Sequence, residues 1–90
     1  MAYKALKLNE RISEYGDVYE DICGNRFVYV KKDMDNTVFG YKRLKTLKTM
    51  VHEYKINRMF QDRYTFTGEN AAQQLDAFFD IFKGVKGNYR

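Results

Sequence analysis

Residues 17–30 read DVYEDICGNRFVYV, and this stretch has the pattern of a β-hairpin. From Asp17 the side chains follow a period of two, which places successive residues on opposite faces of a strand. Gly24-Asn25 supplies a tight turn. Residues 26–30 are rich in β-branched and aromatic side chains on both faces, which favours a central strand covered on both sides. We therefore expect two antiparallel strands here.

The sequence on either side of this hairpin predicts further short elements. Residues 33–36 (DMDN) are typical of a turn, and residues 37–39 (TVF) then complete a three-stranded meander. Before the hairpin, Tyr3 to Leu8 alternates in the manner of a short strand. Asn9 is suited to cap a short helix that ends at Gly16, because glycine accepts a positive φ.

Two longer segments have helical spacing. Residues 41–58 predict a helix whose apolar stripe consists of Leu44, Leu47, Val51 and Tyr54. Residues 63–66 predict a strand, after which Thr67 is placed to cap a second helix that ends at Gly84. The apolar side of that helix consists of Ala71, Ala72, Leu75, Phe78, Phe79 and Phe82.

These patterns predict the α+β fold class. We expect a small antiparallel sheet, made of a three-stranded meander plus one or two further strands, packed against two helices. A chain of 90 residues without proline or a Ser- or Gly-rich linker has the size of a single domain, residues 1–90.

The composition argues against several classes of protein. Cys23 is the only cysteine and His52 the only histidine, so no disulfide can form within the chain and no zinc site can be built from the usual ligands. Asp33 begins a calcium-like sequence, but Val38 stands where that loop needs glycine. No nucleophile or phosphate loop is recognisable. We therefore expect no cofactor, no metal and no catalysis.

The N-terminal residues and the hydropathy predict a cytoplasmic protein. No apolar run approaches the roughly 18 residues of a membrane span. Residues 1–8 alternate lysine with apolar residues and do not resemble a signal peptide. We expect no membrane partner.

Charge is unevenly distributed along the chain. Residues 10–35 contain 4 basic and 7 acidic side chains, whereas residues 41–63 contain 7 basic and 2 acidic ones, within a formal net charge of +4. A basic patch attracts polyanions and releases their counterions on binding. The candidate nucleic-acid contacts are Lys42, Arg43, Lys45, Lys48, Lys55, Arg58 and Arg63. A solvated basic surface is the alternative.

Three aromatic residues are interleaved with these cations. Exposed rings of Tyr41, Tyr54 and Phe60 would stack on unpaired bases. The helical stripe predicted for residues 41–58 favours a place in the core for Tyr41 and Tyr54 instead.

A second hypothesis is a protein partner rather than a nucleic acid. The acidic hairpin residues Asp17, Glu20 and Asp21, with exposed tyrosines, would suit an inhibitor or adaptor that binds a basic or aromatic host protein. A homodimer is also expected, with the strand edge beside Tyr3 to Leu8 as its seam.

The chain as a whole resembles small early or accessory proteins of T-even-type tailed phages. The features that carry this resemblance are a start directly in a strand and the sequence YTFTGE at residues 64–69 before an aromatic helix. Among these proteins it is most similar to TifA-type antitoxins. That resemblance implies a dimeric, basic, RNA-associating protein that silences a host endoribonuclease toxin in the host cytoplasm. It carries no functional residue across.

Overall fold

The computed structural model describes residues 5–45 and 53–81. Within these ranges the strands are β1 (Asp17–Asp21), β2 (Arg26–Lys32), β3 (Asn36–Gly40), β4 (Glu53–Ile56) and β5 (Tyr64–Asn70). The α-helices are α1 (Tyr41–Lys45) and α2 (Ala72–Ile81). Two short 3₁₀ helices, Leu8–Glu10 and Arg58–Arg63, complete the described part.

The strands form one antiparallel sheet in the order β4-β3-β2-β1-β5. The predicted hairpin is present, with Val18 opposite Val28 and Tyr19 opposite Phe27. β3 pairs with the other side of β2, so β2 lies in the centre of the sheet. The expected α+β fold, a meander extended by further strands and packed against helices, is confirmed.

One face of the sheet is covered by the two α-helices, and we call it the helix face. Phe39 lies at its centre, with its ring 5.9 Å from those of Phe78 and Phe79 in edge-to-face geometry. The buried residues of this face and its helices are Val18, Val28, Val30, Phe39, Leu44, Ala71, Leu75, Phe78 and Phe79. Most of the predicted stripe of the last helix therefore lies in the core; Phe82 and Gly84 are outside the described residues.

The opposite face carries mostly aromatic side chains, and we call it the aromatic face. Its sheet residues are Tyr19, Phe27, Tyr29, Val38, Tyr54, Ile56, Tyr64 and Phe66. Leu8 packs into its buried part. Because β4 and β5 lie at opposite edges of the sheet, residues 57–63 cross this face, where the two 3₁₀ helices touch.

The prediction of one helix over residues 41–58 is wrong at its C-terminal end. α1 covers Tyr41–Lys45, and residues 46–52 lie outside the description. Residues 53–56 form the strand β4. β4 pairs along β3, which satisfies backbone groups of both strands, and it buries Ile56 to 3% exposure. Tyr54 consequently belongs to the aromatic face and not to a helical stripe.

The predicted elements before the hairpin also need correction. Lys7 forms a single antiparallel bridge with Thr65, and residues 1–4 are outside the described chain. The expected short helix is only the 3₁₀ turn Leu8–Glu10, and Ile12 is 91% exposed. Asn9 lies inside that turn and does not cap it. Leu8 is the buried residue of this turn and packs into the core, whereas Asn9 and Glu10 are exposed.

Asn70, not Thr67, caps α2. The Asn70 Oδ1 atom accepts a hydrogen bond from the Ala72 backbone N–H at 2.9 Å. The Thr67 hydroxyl instead donates to the carbonyl of Val18 at 2.9 Å, which ties β5 to β1. Both residue types suit an N-cap, and strand pairing decides between them because β5 continues to Asn70.

Within residues 5–45 and 53–81, neither helix has the length and apolar content needed to cross a membrane.

Gly16 lies where β1, β2 and the start of α2 meet. Its N–H donates to the Tyr29 carbonyl at 2.8 Å, and its carbonyl accepts from Ala71 at 2.7 Å. Its φ is +91°, and a Cβ atom here would lie 2.5 Å from the backbone nitrogen of Ala72. The positive φ expected of Gly16 is confirmed, but it serves the entry into β1 and the close approach of α2.

We expect Gly16→Ala to lower the free energy of unfolding by at least about 2 kcal/mol, because strain at positive φ adds to a clash with backbone. The matched control is Gly24→Ala: φ there is +83°, but nothing lies within 4 Å of the added Cβ. The control should cost only about 1 kcal/mol. Urea unfolding measures both, and equal losses would contradict a role for the Gly16–Ala72 contact.

Candidate nucleic-acid interface

The predicted basic residues do not share one face. Lys42 is exposed on α1, which packs on the helix face. Lys55 also points to the helix face, where its ammonium donates to the Thr37 hydroxyl at 2.6 Å and lies 3.1 Å from a carboxylate oxygen of Glu53. Arg43 and Lys45 belong to α1, but their side chains, like all of Lys48, lie outside the description.

Arg58 and Arg63 are placed differently from the other cations. They begin and end the 3₁₀ helix that crosses the aromatic face, and both are exposed. Asn57 starts this helix by accepting a hydrogen bond from the Met59 N–H at 3.0 Å. The Arg63 guanidinium lies 4.6 Å from the centre of the Phe60 ring, a cation–π contact on a ring that is 40% exposed.

Three rings form a row on the aromatic face beside this helix. Phe27 makes edge-to-face contacts with Tyr54 at 5.2 Å and with Tyr64 at 5.7 Å between ring centres. Tyr54 is 44% exposed, and the other two rings are partly buried. Gly40 lies opposite Phe27 in the sheet, between the strands that carry Phe27 and Tyr54. We call Tyr54, Phe27 and Tyr64 the aromatic row.

Of the three aromatic residues interleaved with the basic ones, Tyr41 packs against the core of the helix face, as expected. Tyr54 and Phe60 are both substantially exposed, and both belong to the side of the sheet with the aromatic row. The expectation that Tyr54 is simply a core residue is therefore wrong, because it lies on an edge strand rather than on a helix.

A partly buried ion pair holds the segment before β1 against the other end of the aromatic face. Arg11 donates to a carboxylate oxygen of Asp17 at 2.6 Å and to the Tyr19 hydroxyl at 2.9 Å. Its guanidinium also stacks 3.7 Å from the centre of the Phe66 ring. Burial would lower the pKa of Arg11, but the hydrogen bonds to Asp17 and Tyr19 outweigh it and raise that pKa.

The acidic residues of the hairpin are all engaged within the chain. Asp17 is 3% exposed and paired with Arg11, and Glu20 lies 3.4 Å from Arg26. Asp21 accepts hydrogen bonds from the backbone of Cys23 and Asn25 and thereby closes the turn. These carboxylates stabilise the hairpin itself. Among residues 5–45 and 53–81, no group of three or more His, Cys, Asp or Glu residues is arranged to hold a metal ion.

Sequence reasoning missed Phe27, Tyr64, Phe66 and Arg11. The signal was present in part, because aromatic residues recur at every second position in residues 27–29 and 64–66. That spacing puts them on one face of a strand. The spacing does not predict that β2 and β5 lie two places apart in one sheet, nor that their aromatic residues share one face of it.

Three tyrosines have raised pKa values. Burial is the main cause of the raised pKa of Tyr15, Tyr29 and Tyr64. For Tyr15 the hydrogen bond to Asp76 adds to it, and for Tyr64 the charge of Asp21 adds to it while Arg63 partly opposes it. Each phenol is therefore harder to ionise in the folded chain than in the unfolded one.

Stability should consequently fall at alkaline pH. The folded-state pKa values exceed the ordinary 10.0, so the folded chain holds these protons more tightly. Their contribution is fully present below about pH 10 and is lost as the pH rises through the folded-state values. Thermal unfolding between about pH 8 and 12, with tyrosinate absorbance recorded in parallel, measures this loss. Tyr15→Phe should show a smaller alkaline loss than the unmodified chain; an identical loss would contradict the assignment.

Comparison of the chain with known proteins gives no match to a protein-family model, to a curated protein or to a solved structure. The candidate site consists of the partly exposed aromatic row and the 3₁₀ helix Arg58–Arg63, which carries two exposed arginines.

Proposed function

We propose that this protein binds RNA through its aromatic face and acts by binding rather than by catalysis. The observation that carries the proposal is the aromatic row of Tyr54, Phe27 and Tyr64 beside the exposed Phe60–Arg63 pair. Exposed rings on a sheet offer flat surfaces on which unpaired bases stack, and nearby arginines bind the phosphates.

The two kinds of contact supply different parts of the affinity. Stacking on one aromatic side chain contributes about 1–3 kcal/mol per base and tolerates any base sequence. Arginine contacts with phosphate release counterions and make binding depend on salt. A ligand with unpaired bases satisfies both kinds of contact at once, whereas a duplex keeps its bases out of reach of the rings.

Among the basic residues, we propose Arg58 and Arg63 as the contacts with the bound strand. Arg58 and Arg63 lie on the segment that crosses the aromatic face. Lys42 and Lys55 lie on the helix side of the sheet, and the Lys55 ammonium already binds Thr37 and Glu53. In the proposal those lysines add to the long-range field around a chain of net charge +4 and do not touch the bound strand.

We also propose a biological role for RNA binding. The resemblance to TifA-type antitoxins suggests that RNA binding serves to inhibit a host defence system of the toxin–antitoxin type, in the host cytoplasm. Co-expression with a host endoribonuclease toxin tests that role: growth should be rescued by the chain and lost with a variant that no longer binds RNA.

A protein partner that binds the acidic hairpin is the alternative function. Asp17 is buried and paired with Arg11, whereas Glu20 and Asp21 are partly exposed beside Arg26 and the turn backbone, so at most two of the three carboxylates are open to a basic partner. Recovery of partners from host lysate with and without nuclease separates the two functions. Recovery that survives nuclease favours the protein partner.

Phe60→Leu and Arg63→Ala should both weaken binding to a short single-stranded RNA. Leucine keeps an apolar side chain but cannot stack, so we expect a loss of fivefold or more, about 1 kcal/mol. Arg63→Ala should also reduce the slope of log affinity against log salt by roughly 0.7, the value for one phosphate contact on a single strand. Fluorescence polarisation at several salt concentrations measures both.

Lys42→Ala is the matched control for Arg63→Ala. It removes the same charge from an exposed position on the opposite layer, so it should change affinity less than about twofold. Equal effects of Lys42→Ala and Arg63→Ala would show diffuse electrostatic attraction and contradict the site. Binding that is absent, or that does not depend on salt, would contradict RNA binding altogether.

A further inference from the structure

The aromatic face extends beyond the aromatic row, because β5 carries a further ring on the same side. Phe66 lies two positions after Tyr64, so the two side chains project on the same face of the strand. Phe66 differs from the rings of the row in what lies over it. The guanidinium carbon of Arg11 is 3.7 Å from the centre of the Phe66 ring, which places the flat group against the ring. We call this pair the Arg11–Phe66 stack.

Hydrogen bonds hold the Arg11 guanidinium in one orientation. Its Nη1 atom donates to a carboxylate oxygen of Asp17 at 2.6 Å and to the Tyr19 hydroxyl at 2.9 Å. The Asp17 carboxylate is fixed in turn, since it accepts hydrogen bonds from the Glu14 backbone N–H at 2.8 Å and from the Asn70 amide at 3.2 Å. A ligand therefore meets a guanidinium that is already ordered, which reduces the entropy that binding costs.

The stack can be reached from solvent, but its counter-ion cannot. The Arg11 side chain is 20% exposed, whereas the side chain of Asp17 is 4% exposed and Tyr19 is fully buried. Phe66 is half-buried. Unpaired bases stack on the planes of arginine side chains as they do on aromatic rings. A strand bound along the aromatic face therefore finds a flat, polarised surface at Arg11.

We propose that the Arg11–Phe66 stack is a second stacking position of the RNA site, at which an unpaired base lies against the outer plane of the guanidinium. The outer plane is the one that faces away from the Phe66 ring. This inference rests on the proposed RNA binding and adds a contact to it. Stacking uses the π-face that every base has, so the position accepts any base.

Arg11 contributes to binding in a different way from Arg63. The charge of Arg11 is balanced by Asp17 at 2.6 Å, so binding beside it releases few counterions. Arg63 contacts phosphate in the proposed site, and its loss lowers the salt dependence of binding. Arg11 supplies a flat surface instead, so its replacement lowers the affinity and leaves the salt dependence unchanged.

Arg11→Lys tests the stack, because lysine keeps a positive charge beside Asp17 but has no planar group. The probe is the shortest oligoadenylate that the unmodified chain binds with full affinity, so that it binds in one register. We expect the affinity to fall about fivefold or more, as for the loss of one stacked base. The slope of log affinity against log salt should not change. Fluorescence polarisation at several salt concentrations measures both quantities.

Two further variants separate stacking from ion pairing and from folding. Arg26→Lys is the matched control, because Arg26 also pairs with a carboxylate, that of Glu20 at 3.4 Å, but on the helix face. It should change the affinity less than about twofold. Phe66→Leu removes the ring beneath the guanidinium and should weaken binding as Arg11→Lys does. Circular dichroism and urea unfolding establish that each variant is folded.

Abasic nucleotides identify the contact itself. They are introduced one at a time along the oligoadenylate, and each RNA is measured against the unmodified chain and against Arg11→Lys. If a base stacks on the guanidinium, removing that base weakens binding to the unmodified chain but hardly weakens binding to the variant. A variant that has only lost stability shows the same penalty as the unmodified chain at every position. Phe66→Leu takes the place of Arg11→Lys in this comparison if the latter does not fold.

The outcomes are distinct. One position whose abasic penalty disappears in the variant supports the stack. Equal penalties in both proteins at every position would overturn it, as would a folded Arg11→Lys with unchanged affinity. In either case a loss of affinity in Phe60→Leu leaves the proposed RNA site in place without this position. Absence of any oligoadenylate binding by the unmodified chain would overturn both the site and the stack.

Discussion

A five-stranded sheet has two faces to cover, and in the described part of this chain α-helices cover only one of them. β2 runs through the centre, with Val28 buried on one side and Tyr29 on the other. The helix face is closed by leucine and phenylalanine side chains of α1 and α2. The second face is closed by large aromatic rings, by Leu8 and by residues 57–63 that cross it. Because aromatic rings bury large areas, these side chains and the crossing segment suffice to close the aromatic face without disulfides.

The candidate site lies on this aromatic face, which the described α-helices do not cover. Rings that close a face without a layer of helices above them stay partly exposed, as Tyr54 and Phe60 do. At the other end of the face, the Arg11–Asp17 pair fixes the segment before β1 across Phe66. The side chain of Asp17 is 4% exposed, so its charge needs Arg11 and its hydrogen bonds to the backbone N–H of Glu14 and the amide of Asn70. Stability and a surface suited to stacking thus come from the same aromatic residues.

The elements that the sequence predicted well are those whose pattern is local. The hairpin over residues 17–30 and the apolar side of α2 follow from periodicity that a core on one side imposes. The sequence pattern predicts a helix over residues 53–56 because Tyr54 continues the helical spacing that begins at Leu44. Four residues give too little alternation to reveal a strand. Thr67 and Asn70 are both good caps, so only the length of β5 settled which of them begins the helix.

The sequence by itself determined the α+β class, the central hairpin, the aromatic content and the excess of positive charge between residues 41 and 63. Only the tertiary structure decided how that charge is divided between the two faces of the sheet. A residue on a strand shares its face with the residue it pairs with, and that pairing is not visible in the local sequence. The tertiary structure placed Lys55 beside Thr37 on the helix face and Arg63 beside Phe60 on the crossing segment. It also brought Phe27, Tyr54 and Tyr64 together from three strands, and contacts between residues so distant in sequence depend on sheet order, which local periodicity does not encode.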